Sequence, residues 1–173
     1  MGQDRYETLS AAVHALLGGG RSLEDVLGDV LRALGEGLGW DLAIAWRADP
    51  SGSAMRFARA WRRPDGPGAA LVARSETCVF SPGVGLPGRV LARREPAWLE
   101  DVQVVPAFPR VAAAVEDGLH AGFGFPILDR HRVVGMIEFF CDEPRPPDGA
   151  LLAMIDALGP AIGALAAREW DAP

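Results

Sequence analysis

The chain has 173 residues and a mass of 18.4 kDa, which is enough for one domain and too little for two of ordinary size. Hydrophobic residues make up 49% and charged residues 23%, a composition that is globular and excludes a disordered chain. The formal net charge is −6. An acidic chain lacks the positive surface that contacts with phosphate groups require, so we expect no nucleic-acid partner.

The cysteine count and the hydropathy pattern exclude further classes. Only Cys78 and Cys141 are present, without a Cys-x-x-Cys motif or a Cys/His ligand spacing. We therefore expect neither a disulfide framework nor a structural metal site. The N-terminus does not resemble a signal peptide, and no apolar stretch approaches the roughly 18 residues of a membrane span. These features predict a cytoplasmic protein without a membrane partner.

Two amphipathic helices are predicted at the start of the chain. In the first, Asp4 and Glu7 form a capping pair, and apolar residues recur on one face until Gly18-Gly19-Gly20. Ser22 caps the second helix, whose wide apolar stripe extends to Leu38.

An antiparallel hairpin follows, because residues 40–47 and 55–61 both alternate between apolar and other residues around the turn Asp49-Pro50-Ser51-Gly52. Short elements come next: a weak helix over 69–76, a segment at 77–80 that is either strand or loop, short helices over 87–94 and 108–117, and a strand over 96–99.

A second pair of strands and a helix complete the chain. Residues 119–127 alternate, whereas residues 133–141 are almost continuously apolar and predict a central strand. Asp148 caps the last helix, in which Pro160 is expected to cause a kink and a hinge at Gly159-Pro160. Because strands and helices do not alternate, the order of elements predicts an α+β fold with an antiparallel sheet.

Three residues of the second strand pair are candidates for function. Glu138 interrupts an apolar strand, and burying an unpaired carboxylate is costly. We therefore expect Glu138 to be at least partly buried and hydrogen-bonded, with Arg110 or Arg89 as a partner. Gly122 and Gly124 lie on one strand face and leave room for something to approach closely, either a ligand or a packed helix.

Catalytic chemistry finds little support in the sequence. No Ser-His-Asp, Cys-His or paired-carboxylate arrangement can be assembled from the spacing, so we predict no catalytic residue. The segment Gly83-Val84-Gly85-Leu86-Pro87-Gly88 matches G-x-G-x-x-G, but it lacks the βαβ surroundings of a dinucleotide site. A tight turn before a short helix is the favoured interpretation of this segment.

Taken in order, several segments resemble the GAF domain, the sensory module of bacterial histidine kinases, phytochromes and cyclic-nucleotide phosphodiesterases. Each segment is a weak match, but the ordered set spans essentially the whole chain. The segments are 83–90, 95–102, Phe108-Pro109-Arg110, 118–127, 134–140 and Arg145-Pro146-Pro147-Asp148.

The resemblance implies a single GAF domain over residues 1–173, with N-terminal helices in 1–38, the sheet and pocket in 40–141 and a C-terminal helix over 148–169. In this fold a sheet of about six antiparallel strands carries the terminal helices on one face and a roofed ligand pocket on the other. Carried over to this chain, the pocket would be framed by Trp98, Asp101, Phe108, Phe123 and Phe125, together with Glu138.

The functional expectation is a sensory domain of a two-component protein, similar to those attached to sensor histidine kinases. It would bind an unidentified small molecule, form a homodimer through its terminal helices and pass a signal to an attached output domain. Any kinase activity would lie in that output domain, so this domain is not expected to be an enzyme itself. Two alternatives remain: a ligand-free dimerisation scaffold, and a haem or redox sensor that uses His120.

Known activities of GAF domains require particular motifs, and these motifs can be looked for in this sequence. The cyclic-nucleotide motif needs Asn and Lys, and this chain has neither. Bilin attachment needs a Cys followed by His, and the free methionine sulfoxide reductases use three cysteines, whereas this chain has two. We therefore predict no cofactor, no bound metal and no covalent chromophore.

Overall fold

The structure, a computed structural model, describes residues 2–170, apart from the side chain of Gln3. Its elements in chain order are α1 (Gly2–Leu17), α2 (Leu23–Leu38), β1 (Leu42–Ala48), β2 (Met55–Arg62), α3 (Ala69–Glu76), β3 (Val79–Phe80), α4 (Gly85–Arg93), β4 (Ala97–Leu99), α5 (Val111–Asp117), β5 (Ala121–Asp129), β6 (Arg132–Cys141) and α6 (Gly149–Trp170).

The strands form one six-stranded sheet in the order β3-β2-β1-β6-β5-β4, and every neighbouring pair is antiparallel. The predicted α+β class and the central position of β6 are therefore confirmed. The two hairpins β1–β2 and β5–β6 are joined through the long β1–β6 pairing, so that the first and the last strand of the chain lie side by side at the middle of the sheet.

The helix caps show how local sequence sets these boundaries. The Ser22 hydroxyl accepts a hydrogen bond from the Asp25 N–H at 3.1 Å, and Asp148 Oδ1 accepts one from the Ala150 N–H at 2.9 Å, as both predicted caps require. The first helix begins earlier than predicted, at Gly2, so Asp4 lies in its first turn rather than at its cap. There its carboxylate still faces the positive end of the helix dipole.

Helices α1, α2 and α6 cover one face of the sheet, which we call the helix face. Its core includes a stack of Phe123, Phe125 and Phe139, with ring centroids 6.1 to 6.3 Å apart. Trp40 adds its ring at 6.2 Å from Phe139. The helix face supplies the larger of the two hydrophobic cores of the domain.

Helix α6 packs closely on β5. A Cβ at Gly159 would lie 2.7 Å from the Pro126 carbonyl oxygen, and one at Gly163 would collide with the Leu128 carbonyl oxygen. The helix continues through Pro160, and the expected hinge there stays a prediction.

By length and composition α6 could cross a membrane, contrary to the expectation that no apolar stretch approaches the length of a span. The most apolar 18-residue window of the helix has a mean hydropathy of 1.8, and 44% of that window is buried in the domain. Core helices of soluble proteins have the same character, and α6 lies on the apolar core of the helix face.

Several of the apolar residues of the terminal helices that motivated the expected homodimer are covered within the domain. Leu9 and Val13 of α1 and Leu158 and Ile162 of α6 are all buried within the domain itself. The homodimer stays a prediction, but the apolar residues that motivated it already have partners within one chain.

Candidate functional site

The opposite side of the sheet is covered by α3, α4, α5 and the loop between β4 and α5. We call it the box face, after the box of aromatic rings that surrounds Arg110 there. Glu138 of β6 lies on this face, paired with Ile44 of β1 and Gly124 of β5. Its side chain has no exposed surface. The sequence therefore places a full carboxylate in the middle of a buried sheet face.

Arg110 pairs with this carboxylate from the other side of the core. Its two terminal nitrogens donate to the two oxygens of Glu138 at 2.6 and 2.9 Å, and Nη1 also donates to the Ser75 hydroxyl at 3.0 Å. The Trp46 indole N–H donates to Glu138 Oε1 at 2.8 Å. The prediction of a buried, hydrogen-bonded Glu138 with Arg110 as partner is thus confirmed. Arg89, the other candidate partner, instead lines a nearby cavity.

Aromatic rings surround the Arg110 guanidinium. The distances from its central carbon to four ring centroids lie between 5.0 and 5.5 Å, within the range of cation–π attraction. Together with Glu138 these rings form what we call the cation box: Trp46, Phe80, Phe108, Phe140 and Glu138. Within the described residues, Arg110 Nε is buried and has no hydrogen-bond partner. The guanidinium is therefore held by its outer end.

Hydrogen bonds join helices α3 and α5 at both ends of the pair. At one end Arg110, the N-cap residue of α5, binds Ser75 of α3. At the other end, the Asp117 carboxylate accepts the backbone N–H groups of Ala70 and Leu71 at 3.1 and 2.7 Å. A carboxylate there satisfies free N–H groups at the start of α3, whose own N-cap Gly68 has no side chain to do so.

The space over the two strand glycines is filled by the domain itself. A Cβ at Gly124 would lie 2.6 Å from the Met136 methyl carbon and 3.4 Å from Leu86 of α4. A Cβ at Gly122 would lie 2.9 Å from the Phe140 ring and 3.0 Å from Val102. Of the two explanations left open by the sequence, close packing by the domain's own side chains is the one observed here.

The structure does not bring all of the predicted pocket residues together. Phe108 and Glu138 belong to the box face, but Trp98, Phe123 and Phe125 pack in the core of the helix face. This corrects the expectation for those three residues. The physical reason is strand alternation: Phe123 pairs with Phe139, the immediate neighbour of Glu138, and adjacent strand residues point to opposite faces.

Asp101, the sixth predicted pocket residue, anchors the start of the β4–α5 loop. Its Oδ1 lies 3.0 Å from His120 Nδ1 and accepts the Gln103 backbone N–H at 3.0 Å. His120 Nε2 lies 3.5 Å from the Gln103 amide nitrogen. The candidate haem ligand of the sequence analysis is therefore engaged by protein groups at both ring nitrogens.

Two open cavities flank the box face. One of about 210 Å³ lies between the start of α4 and the β4–α5 loop, and Leu86, Arg89 and Phe108 contribute to its wall. A cleft of about 650 Å³ lies at the far end of the hairpins, beside Arg94 and Arg130. Only the smaller cavity contacts a residue of the cation box.

The remaining motifs have structural roles. The glycine-rich segment forms the predicted tight turn: the Val84 N–H donates to the Ser81 carbonyl at 3.1 Å, and the Gly83 N–H donates to the carbonyl of Gly88 in the first turn of α4 at 2.7 Å. Cys141 is buried and Cys78 is half-buried, and both are free thiols. Across residues 2–170 there is no group of three or more His, Cys, Asp or Glu side chains suited to hold a metal ion.

Trp46, Phe80, Phe140 and Ser75 complete the site, and sequence reasoning missed all four. Strand alternation places Trp46 on the same face as Ile44, and the β1–β6 register then places Ile44 beside Glu138. That register is the only signal that could have connected Trp46 with Glu138, and it depends on pairing between distant parts of the chain.

Comparison with known structures agrees with this architecture. The GAF domain of a phosphoenolpyruvate-protein phosphotransferase from Coxiella burnetii superposes with a TM-score of 0.82 at 19% identity, covering 99% of this chain and 98% of that one. The corresponding GAF domain from Acinetobacter gives a TM-score of 0.76 at 14% identity, with 96% and 95% covered. The free methionine-R-sulfoxide reductase of Neisseria meningitidis, solved with its substrate, gives 0.77 at 13% identity, with 98% and 94% covered.

At these identities the structures establish the fold alone, and among proteins of curated function no sequence matches significantly. The sequence itself carries the family assignment, since the GAF domain model matches residues 20–165, from the start of α2 to the last turns of α6. With its six-stranded sheet, its terminal helices on one face and its roofed opposite face, the chain belongs to the GAF domain family.

Proposed function

We propose that this domain is the sensory part of a cytoplasmic signal-transduction protein, of the type attached to histidine kinases, and that it binds a small molecule on the box face. In this proposal the domain has no catalytic activity of its own and controls an attached output domain. GAF domains in general act as sensory or regulatory domains, which supports the sensory role in this proposal.

The observation that carries the proposal is the buried Arg110–Glu138 pair. A buried ion pair stabilises a fold little, because removing two charges from water opposes their attraction, and well-packed apolar residues often do better. A domain that needed only a stable core would gain nothing from this pair. Charged groups on the face where the family has its ligand pocket are better explained by recognition.

The terminal helices offer a route for the signal. The Tyr6 hydroxyl of α1 donates to Asp148, at the N-terminus of α6, at 2.6 Å. Glu169, near the end of α6, accepts the Leu23 backbone N–H of α2 at 2.6 Å. Because α6 also packs on β5, whose other face borders the box, a shift of β5 and β6 would reach both ends of α6.

The alternative function is a ligand-free scaffold that dimerises through its terminal helices. The closed box favours it, since Arg110 fills the space that a ligand would need and has its terminal nitrogens satisfied. The two functions differ in what the folded domain retains or binds.

Native mass spectrometry of the full chain, purified from rich medium, separates the two functions. A sensory domain should retain a non-covalent mass in the range of a metabolite, or acquire one on incubation with a metabolite extract. A scaffold should give the polypeptide mass alone under both conditions, mostly as a dimer. Denatured protein serves as the control, because a non-covalent ligand must be lost from it.

A further inference from the structure

Building on the proposed sensory function, we propose that the cation box is a recognition site for an organic cation with a guanidinium or ammonium group. In the present structure the site is closed by Arg110, which acts as an internal competitor attached to the loop side of the pocket. Binding of the external cation would replace the Arg110 side chain and release the loop that precedes α5.

The chemistry of the box wall selects a cation. A carboxylate lies at its base, and four aromatic faces surround the position of the positive charge. If Arg110 withdrew, Glu138 would be left as a buried carboxylate whose one described partner is the Trp46 N–H. An anion would be repelled there, and an uncharged apolar ligand would leave the charge unpaired. A ligand that brings its own positive charge restores the balance by taking the place of the guanidinium beside Glu138.

The way in which Arg110 is held allows its side chain to leave the cation box. All of its side-chain hydrogen bonds are made by the two terminal nitrogens, and the buried Nε has no partner. Its backbone follows a loop of exposed or half-exposed residues from Gln103 to Ala107, in which Val104 is 75% exposed. Ala107 has a φ of +57°, a conformation that residues with a Cβ adopt at a cost. The loop is therefore less buried than β1 and β6, which form the opposite wall of the box.

The cavity of about 210 Å³ supplies a way in. Phe108 lines this cavity and is also one of the four rings around the guanidinium, so it separates the cavity from the box. Phe108 and Arg110 belong to one segment of the loop, so a movement of this segment opens the box and withdraws its occupant together. The cavity then receives the remainder of a ligand whose charged end is in the box.

A tethered competitor sets the affinity that an external ligand needs. A group held by a short linker has an effective concentration in the millimolar range or above, so a small cation alone competes poorly with Arg110. The natural ligand must gain further contacts in the adjoining cavity. For the same reason, the box is tested most directly when the tethered group is removed.

The test uses methylguanidinium chloride on the full chain and on the variants Arg110→Ala, Arg110→Lys and Arg110→Ala/Glu138→Gln. Thermal unfolding is followed, with sodium chloride and urea at the same concentration as controls for ionic strength and for a neutral molecule of similar shape. At about five times its dissociation constant, the probe should raise the Tm of Arg110→Ala by about 2–4 °C. Arg110→Lys should respond less, and the wild type and the double variant should not respond.

An equal response in all four proteins, or none in Arg110→Ala and Arg110→Lys, overturns the proposal. If Arg110→Ala does not fold, the comparison of Arg110→Lys with the wild type decides in its place, since the lysine retains a charge without the two-point contact. Inorganic phosphate provides the opposing test: stabilisation of the wild type by phosphate, lost in both Arg110 variants, would assign an anion site and overturn the cation site.

The failure of this inference is distinguishable from that of the sensory function. A retained metabolite on the wild type, together with no response of the Arg110 variants, leaves the sensory function standing and removes the cation class. A response of Arg110→Ala with no ligand on the wild type supports the chemistry of the box and counts against sensing.

Discussion

The two faces of the sheet are built from the same strands but bury different kinds of residue. The helix face buries stacked phenylalanines against α1, α2 and α6. The box face buries Ser75, Arg110 and Glu138, three of the four buried polar or charged residues found among residues 2–170. The contrast is sharpest on β6, where Phe139 belongs to the first face and Glu138 to the second.

This difference separates stability from specificity. Apolar burial on the helix face is non-directional and stabilises the domain in proportion to the area removed from water. The Arg110–Glu138 ion pair on the box face adds little net free energy to folding, but it requires a positive charge to lie beside the buried carboxylate. Substitutions on the two faces should therefore follow different rules.

The largest expected effect comes from breaking the pair on one side. Replacing Glu138 by Ala leaves the Arg110 guanidinium buried without its carboxylate, which should lower the free energy of unfolding by about 3–5 kcal/mol. Urea unfolding followed by circular dichroism measures this loss. Replacement of the exposed Glu143 by Ala is the control and should change stability by less than about 0.5 kcal/mol. A loss below 1 kcal/mol for Glu138→Ala would contradict the description of the pair as buried and coupled.

Replacing the whole polar group by apolar residues should have the opposite result. In the triple variant Trp46→Phe, Arg110→Met, Glu138→Met, no buried charge or indole N–H remains unpaired. We expect a stability from neutral to about 1–4 kcal/mol above the wild type, because similar replacements of buried ion pairs often stabilise. The same urea titration tests it. A triple variant as unstable as Glu138→Ala would mean that the pair is needed for stability, and the argument for recognition would lose its basis.

The architecture could be predicted from the sequence because it depends on local patterns. Alternation, periodic apolar faces and the caps at Ser22 and Asp148 placed the main elements within a few residues. The cost of an unpaired charge also predicts that Glu138 has a partner, although it leaves Arg110 and Arg89 open as candidates. These are properties that one segment carries by itself.

The composition of the pocket could not be predicted in the same way, because it depends on which face each strand presents. Phe123 and Phe125 alternate correctly with Gly122 and Gly124, but the pattern does not say which set faces the helices. The register between β5 and β6 decides it, and that register is formed by residues distant in sequence. The residue Glu138 was assigned to the same pocket as Phe123, although the two point to opposite sides of the sheet.

A smaller loss of stability is expected where α6 packs so closely on β5 that only glycine fits. Gly163→Ala places a Cβ against the Leu128 carbonyl oxygen and must push α6 from the sheet, which should cost about 1–3 kcal/mol. Gly149→Ala, in the same helix, meets no atom within 4 Å and should be neutral or stabilise by up to about 1 kcal/mol. Thermal unfolding of the two variants compares them directly. Equal stabilities would show that α6 does not pack on β5 at this distance.

The smallest effect is a pH dependence at the contact between the terminal helices. Burial and the hydrogen bond to Asp148 raise the pKa of Tyr6 from 10.0 to about 12, and the same bond lowers the pKa of Asp148 below 3.8. The contribution of Tyr6 is therefore complete below pH 10 and lost as the pH rises to about 12, whereas that of Asp148 is present above pH 3.8 and lost below it. Tyr6→Phe should cost about 1 kcal/mol at pH 7 and remove the alkaline loss of stability that this contact causes. Urea midpoints at pH 7 and pH 11 measure the cost at neutral pH and the alkaline loss. The contact joins α1 to α6 and does not involve the cation box. The response of Arg110→Ala to methylguanidinium should therefore be the same with or without the Tyr6 hydroxyl.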